Sequence, residues 1–127
     1  MSLSQHNNEL VSIVDDDPLV RAATSSLVRS FGWEARVFAS GAELLASDAL
    51  ARTRCLVCDV QMPDMDGIDL LDTLGRNGLH IPTIFITAFA TARMRERVGA
   101  GAALCMIEKP IDAQELETWI GRALEGE

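Results

Sequence analysis

The sequence has 127 residues, of which 48% are hydrophobic, and these values suit one domain with its own core. Its formal net charge is −8, which argues against nucleic acid binding by this domain because such binding needs a basic face. No apolar run approaches the roughly 20 residues that cross a bilayer, and the polar beginning "MSLSQHNNE" lacks a signal-peptide pattern. We therefore expect a cytoplasmic protein without a membrane partner, with residues 1–8 as a flexible leader and residues 9–125 as the domain.

Apolar runs with strand character alternate with stretches of helical period along the chain. Strands are predicted over residues 10–14, 34–38, 55–59, 82–87 and 103–107. Helices are predicted over about 18–31, 40–49, 67–74, 91–98 and 112–124. Five β–α units predict a parallel sheet with helices on both faces, a flavodoxin-like doubly wound α/β fold with strand order 2-1-3-4-5.

The helix starts carry recognisable signals. Asp17 and Asp112 are the expected N-caps of the first and last helices. The apolar stripe of the first helix is predicted at Leu19, Ala23, Leu27 and Phe31. Before the third helix, Asp64 and Asp66 are expected in a turn whose tight bend is made possible by Gly67.

Cys55 and Cys58 form a C-x-x-C, which in another context indicates a redox or metal motif. In a strand, however, residues three apart lie about 10 Å from each other and point to opposite faces of the sheet. We therefore expect two buried, reduced thiols that form neither a zinc site nor a disulfide.

Each predicted strand except the second ends in polar residues. In chain order these are Asp15 and Asp16, Asp59, Thr87, and Glu108 with Lys109. Because the carboxyl ends of such strands border one crevice, the three aspartates would repel one another unless their pKa values rise or a cation binds among them. Oxygen ligands suit Mg²⁺, which keeps waters and accepts phosphate oxygens, while Lys109 and Thr87 supply a cation and a hydroxyl. The crevice is suited to a phosphoryl group.

Four segments, "IVDDD", "CDVQMPDMDG", "FITA" and "EKP", occur in this order within residues 9–125. Together they resemble the receiver domain of two-component response regulators, and among receivers they are most similar to the FixJ type. The resemblance implies that Asp59 accepts a phosphoryl group from the phosphohistidine of a sensor histidine kinase or phosphotransfer protein. It also implies Mg²⁺, for which Mn²⁺ could substitute, bound by Asp16, Asp59 and the backbone carbonyl of Gln61, with Asp15 acting through water.

The same resemblance implies that Thr87 and Lys109 bind phosphoryl oxygens and that the Lys109–Pro110 peptide bond is cis. The domain would be a signalling switch that catalyses its own aspartyl phosphorylation and dephosphorylation, and not an enzyme for external substrates. Phosphorylation would change the surface of helix 4, strand 5 and helix 5, where the family implies a homodimer or an output partner. An output domain that regulates transcription follows by analogy alone.

Two alternatives stay open. The first is an interaction module with the same fold that works without phosphorylation, although the acidic set, Thr87 and Lys109 count against it. The second is a phosphatase of the haloacid-dehalogenase type, which needs a general acid two residues after the nucleophile, where this chain has Gln61.

One position departs from the family pattern. Receivers usually carry an aromatic residue three positions before the lysine, where this chain has Met106. Because methionine is flexible and repacks easily, we expect no aromatic switch here. We expect the signal to run through Thr87, Phe89 and the segment 88–103, with Met106 as an adaptable filler.

Overall fold

Five strands form one parallel sheet in this computed structural model, which describes residues 9–99 and 103–125. The strands are β1 (Leu10–Val14), β2 (Glu34–Phe38), β3 (Thr53–Asp59), β4 (Thr83–Thr87) and β5 (Cys105–Glu108). Their order is β2-β1-β3-β4-β5, which confirms the predicted doubly wound arrangement. The predicted leader, residues 1–8, and residues 100–102 of the segment 88–103 lie outside the described residues.

Helices cover both faces of this sheet. They are α1 (Pro18–Ser30), α2 (Gly41–Leu45), α3 (Gly67–Arg76), α4 (Ala92–Gly99) and α5 (Ala113–Leu124). One core lies between the sheet and α1 with α5, and the other lies between the sheet and α2, α3 and α4. Strands buried on both faces are mainly apolar, which explains the nearly continuous apolar runs of β1 and β4. No helix in the described part of the chain is long and apolar enough to span a membrane.

The predicted helix caps are confirmed. The side chain of Asp17 accepts hydrogen bonds from the backbone N–H groups of Leu19 and Val20, and the side chain of Asp112 accepts one from Glu115 N. Both aspartates thus satisfy amides that a helix leaves without partners at its start.

The predicted apolar stripe of α1 is only partly confirmed. Leu27 and Phe31 pack against the core, whereas Ala23 is exposed and Leu19 is 82% exposed. The buried residues of the helix are Thr24, Ser25 and Val28. Thr24 is tolerated inside because its hydroxyl donates to the backbone oxygen of Val20 at 2.8 Å. A polar residue whose hydrogen bond is satisfied within the helix therefore takes a core-facing position.

The predicted second helix, 40–49, is two short helices instead. α2 ends at Leu45, and a 3₁₀ helix follows over Asp48–Arg52. Between them the hydroxyl of Ser47 accepts from Ala49 N, so a new N-cap interrupts the helical run.

Two strands begin or end differently from the prediction. β3 begins at Thr53, two residues earlier, where its backbone pairs with Leu10 of β1. The buried Thr53 hydroxyl also bonds that of Ser12 on β1 at 2.7 Å. β5 spans Cys105–Glu108 instead of 103–107, since it pairs in register with β4 up to the pair Thr87 and Glu108.

Cys55 and Cys58 are both fully buried free thiols on opposite faces of β3, as predicted. Cys55 belongs to the core under α1 and α5, and Cys58 to the core under α2, α3 and α4. Burial raises the pKa of the Cys55 thiol to about 12, and burial followed by the charge of Asp59 raises the pKa of Cys58. The C-x-x-C is therefore part of the core.

The turn between β3 and α3 places its special backbone conformation elsewhere than predicted. The left-handed residue is Asp64, with φ of 68°, and not Gly67. Gly67 is required for space, because a Cβ atom there would lie 2.5 Å from the backbone oxygen of Asp59 and 3.0 Å from the Phe85 ring. Gly67 N also donates to Val60 O at 2.8 Å, so α3 begins in direct contact with the end of β3.

We expect Gly67→Ala to lower the free energy of unfolding by about 1–3 kcal/mol, since backbone must move to admit the methyl group. Gly75→Ala in the same helix is the matched control, because a Cβ atom there meets nothing within 4 Å. It should stabilise by up to about 1 kcal/mol through higher helix propensity. Urea unfolding measures both variants, and equal effects would contradict the close contact at Gly67.

Candidate functional site

Three carboxylates converge at the carboxyl edge of the sheet. Asp15 and Asp16 directly follow β1, and Asp59 is the last residue of β3. One oxygen from each lies within 4.8 Å of the others. Asp15 is fully buried and Asp59 is 5% exposed, whereas Asp16 is open to solvent. The structure thus brings together the acidic residues that the sequence predicted to share a crevice.

Nearly every polar atom of Asp15 is already engaged. Its N–H donates to Phe38 O at 3.1 Å, its carbonyl accepts from Arg21 Nη1 at 2.7 Å, and its Oδ1 accepts from Asp17 N at 2.9 Å. No residue in the described ranges hydrogen-bonds the buried Oδ2, which lies 3.4 Å from Lys109 Nζ. The carboxylate is therefore held in one orientation with a single oxygen left over.

The Lys109 ammonium bridges Asp59 and Asp15. Asp59 Oδ2 accepts from Lys109 Nζ at 3.2 Å, and Asp59 Oδ1 accepts from Gln61 N at 3.1 Å. The lysine side chain is 18% exposed, so this ion pair is only partly screened by water. The structure places Lys109 beside the acidic cluster, as the sequence predicted.

The site holds more negative charge than its own cation neutralises. Burial and the charge of Asp15 raise the pKa of Asp59, and Lys109 and Gln61 N–H oppose this only in part. Burial alone would lower the pKa of Lys109, but the charges of Asp59 and Asp15 outweigh it and raise that pKa. A set of oxygen donors with an unbonded buried oxygen and a shortage of positive charge fits a divalent cation such as Mg²⁺.

Thr87 ends β4 beside this cluster. The residue is fully buried, and its Oγ1 accepts from Phe89 N at 3.3 Å. Lys109 N donates to the backbone oxygen of Thr87 at 2.8 Å, which fixes the two residues to each other. The Lys109–Pro110 peptide bond is cis, as the resemblance implied. A hydroxyl and an ammonium therefore stand at neighbouring strand ends.

Contacts of α4 were missed by the sequence analysis. Glu108 Oε2 accepts from Ala90 N at 3.2 Å, and Glu108 Oε1 lies 3.7 Å from Arg95 of α4. Arg97, also on α4, pairs with the α3 N-cap Asp66 at 3.1 Å. The Ala90–Glu108 hydrogen bond joins residues 18 positions apart, and the Arg97–Asp66 hydrogen bond joins residues 31 positions apart. No local period or spacing in the sequence indicates either contact.

Arg21 is a second side chain that the sequence analysis passed over. Its bond to the Asp15 carbonyl joins residues six positions apart, on α1 and on the loop before it. An arginine within two helical turns of an acidic loop could have indicated a contact with that loop. The sequence does not say, however, whether such a side chain turns back toward the loop or points into solvent.

Comparison with known proteins gives a consistent family. The family model "Response regulator receiver domain" matches residues 11–121. Nodulation protein W of Bradyrhizobium diazoefficiens is 39% identical over 107 residues, which cover 84% of this chain and 47% of that protein. Transcriptional regulatory protein FixJ of Rhizobium meliloti is 34% identical over 115 residues, which cover 91% of this chain and 56% of that protein.

A solved structure agrees with this relationship. The crystal structure of FixJ-N superposes with a TM-score of 0.83 at 32% identity, covering 94% of this chain and 95% of that chain. The chain spans about half the length of the curated relatives it matches. The shared fold, the acidic crevice and the family match lead to one conclusion: this chain belongs to the response regulator receiver domain family of two-component signalling.

Proposed function

We propose that Asp59 accepts a phosphoryl group from the phosphohistidine of a sensor histidine kinase or a phosphotransfer protein. The observation that carries this proposal is the Lys109 ammonium, 3.2 Å from Asp59 and 3.4 Å from Asp15 at the carboxyl edge of the sheet. Asp59 is held from its other side by Gln61 N. A nucleophile fixed in this way loses little orientational freedom when a phosphoryl donor arrives.

Asp15, Asp16 and Asp59, with the backbone carbonyl of Gln61, would hold Mg²⁺ or, in its place, Mn²⁺. When bound, the ion would neutralise the carboxylates and attract phosphoryl oxygens. Asp15 offers the buried oxygen that has no hydrogen bond within the described chain, either directly or through a water molecule. Asp17 is kept out of this set because its side chain already caps α1.

In the transfer, an oxygen of Asp59 attacks phosphorus and the P–N bond of the phosphohistidine breaks. The electron pair of that bond leaves with the imidazole, and Asp59 becomes an acyl phosphate. Lys109 and Thr87 direct an ammonium and a hydroxyl at the phosphoryl oxygens, which gain charge at this point. The protein's contribution is therefore positioning and charge neutralisation, as in other phosphoryl transfers.

Intact-protein mass spectrometry tests the phosphoacceptor. With Mg²⁺ and acetyl phosphate, the wild type should gain one phosphoryl group, and Asp59→Asn or excess EDTA should prevent the gain. Asp64→Asn is the matched control, because Asp64 is an exposed carboxylate in the turn that follows. A wild type that gains no mass, or an equal gain by Asp59→Asn, would instead favour an interaction module that works without phosphorylation.

Asp59→Asn should also be more stable than the wild type at pH 7 without metal. Folding raises the pKa of Asp59, so the ionised carboxylate is less favourable in the folded protein than in the unfolded chain. The free energy of unfolding of the wild type therefore falls as pH rises from about 4 through the folded-state pKa of Asp59. The advantage of the variant should shrink as pH falls toward about 4, where the unfolded carboxyl is protonated as well. Urea unfolding across this range measures the effect, and Asp72→Asn at an exposed position of α3 corrects for the loss of one negative charge. Equal stability of Asp59→Asn and wild type at pH 7 would contradict a shortage of positive charge in the site.

The contacts of Thr87 and Glu108 suggest how phosphorylation reaches the α4–β5–α5 surface. A Thr87 hydroxyl that turns to a phosphoryl oxygen must give up its bond to Phe89 N, which lies in the segment 88–103. A Lys109 that follows the phosphoryl group pulls on Glu108, whose carboxylate holds Ala90 N. The Phe89 side chain is already 71% exposed, so it can move without first breaking a core contact.

Met106 is the adaptable member of this route. It lies in register with Phe85 and packs, half-buried, against the core under α3 and α4. We expect Met106→Phe to sharpen the response, since a rigid ring admits fewer packings than methionine. Hydrogen exchange of α4 with and without acetyl phosphate measures this, with Asp59→Asn as the unresponsive control. A phosphorylation-dependent difference no larger in Met106→Phe than in the wild type would contradict the role of Met106.

The relatives suggest what the switch controls. FixJ is named a transcriptional regulatory protein, and this chain matches 56% of it. We propose that phosphorylation acts on a transcription-regulating output and that the α4–β5–α5 surface binds that output or a second copy of the domain. The net charge of −8 argues against nucleic acid binding by this domain itself.

A further inference from the structure

We propose that Arg21 is a positioning residue that orients the acidic loop for metal binding, an inference that rests on the proposed function. Arg21 lies in the second turn of α1 and is half-buried. Its side chain turns back along the helix, and Nη1 donates to the backbone oxygen of Asp15 at 2.7 Å. A charged donor to a carbonyl makes one of the stronger hydrogen bonds found in proteins.

No other donor in the described chain meets this carbonyl. The amides of Leu19 and Val20 at the start of α1 bond the Asp17 side chain, and Asp17 N bonds Asp15 Oδ1. Without Arg21, the Asp15 carbonyl would have to turn toward water to be satisfied. The contact therefore decides how this peptide group is oriented.

The orientation of this peptide group bears directly on Asp16. The peptide bond is planar, so a fixed carbonyl on Asp15 also fixes the nitrogen and the Cα of Asp16. Asp16 is exposed and has no hydrogen bond of its own among the residues described, so its position depends on the backbone. Partners that orient metal ligands typically matter by about 10- to 100-fold in metal affinity.

The charge of Arg21 acts in the opposite direction to its hydrogen bond. A guanidinium bonded to the Asp15 carbonyl repels a divalent cation bound nearby, so removing it should tighten metal binding if charge alone mattered. Loss of the hydrogen bond should loosen the ligands and weaken binding. The sign of the change in Mg²⁺ affinity therefore distinguishes positioning from simple electrostatics.

The variants Arg21→Met and Arg21→Lys separate these effects. Methionine removes the donor and the charge, whereas lysine keeps both. Arg29→Met is the matched control, because Arg29 also lies on α1 and donates to a backbone oxygen six residues away, that of Ala35 at 3.2 Å. Arg21→Gln, whose shorter side chain does not reach as far, is a second removal variant should Arg21→Met fail to fold.

The readout is the Mg²⁺ concentration dependence of the thermal unfolding midpoint, which gives an apparent Kd without any phosphodonor. We expect Arg21→Met to raise this Kd about tenfold and Arg21→Lys and Arg29→Met to stay near the wild type. A Kd of Arg21→Met that equals or falls below that of the wild type would overturn the positioning role and leave the proposed function intact. A wild type whose midpoint does not respond to Mg²⁺ would overturn the metal site itself, and the role of Arg21 with it.

Discussion

The ion pairs of one ammonium group with two carboxylates are the interaction on which this site depends. Lys109 is the sole lysine of the sequence. It pairs with Asp59, which lies 50 residues earlier in the chain, and with Asp15 at the end of β1. It reduces the repulsion between two carboxylates that the fold removes from water, but it does not balance all three acids. Burial first, and the charge of Asp15 second, raise the pKa of Asp59 in spite of the lysine.

The remaining imbalance bears on the proposed switch. In the proposed reaction, a phosphoryl group would increase the negative charge at Asp59 and would offer Lys109 and Thr87 new partners that compete with their present ones. The present contacts involve the loop that precedes α4. Thr87 accepts a hydrogen bond from Phe89 N, and Glu108, the residue before Lys109, accepts one from Ala90 N. The ion pair of Glu108 with Arg95 is exposed and long, at 3.7 Å, and such pairs contribute little stability. Weak contacts of this kind suit an element whose two states lie close in free energy.

Acidic residues that are neighbours in the sequence take different tasks for geometric reasons. Asp17 has the extended backbone of an N-cap, so its side chain folds onto the first amides of α1 and leaves the crevice. Asp66 does the same for α3, where it forms a capping box with Asp69. Asp15 and Asp59 lie two and seven residues before these caps, at the ends of β1 and β3, where their carboxylates meet in the crevice. The β1–α1 and β3–α3 connections thus each hold one carboxylate in the crevice and one at a helix N-terminus.

The sequence by itself determined the strand order, the two caps, the burial of Cys55 and Cys58 and the gathering of the polar strand ends. These follow from local rules. Apolar runs, capping residues and the right-handedness of connections between parallel strands each act over a few residues or one β–α unit. Only the tertiary structure decided that Gly67 is needed for space, that Leu19 is exposed, and that Arg21 and Glu108 bond backbone groups near the site. Each of these depends on where a side chain turns or on what another segment places beside it, and contacts of that kind leave no periodic pattern along the chain.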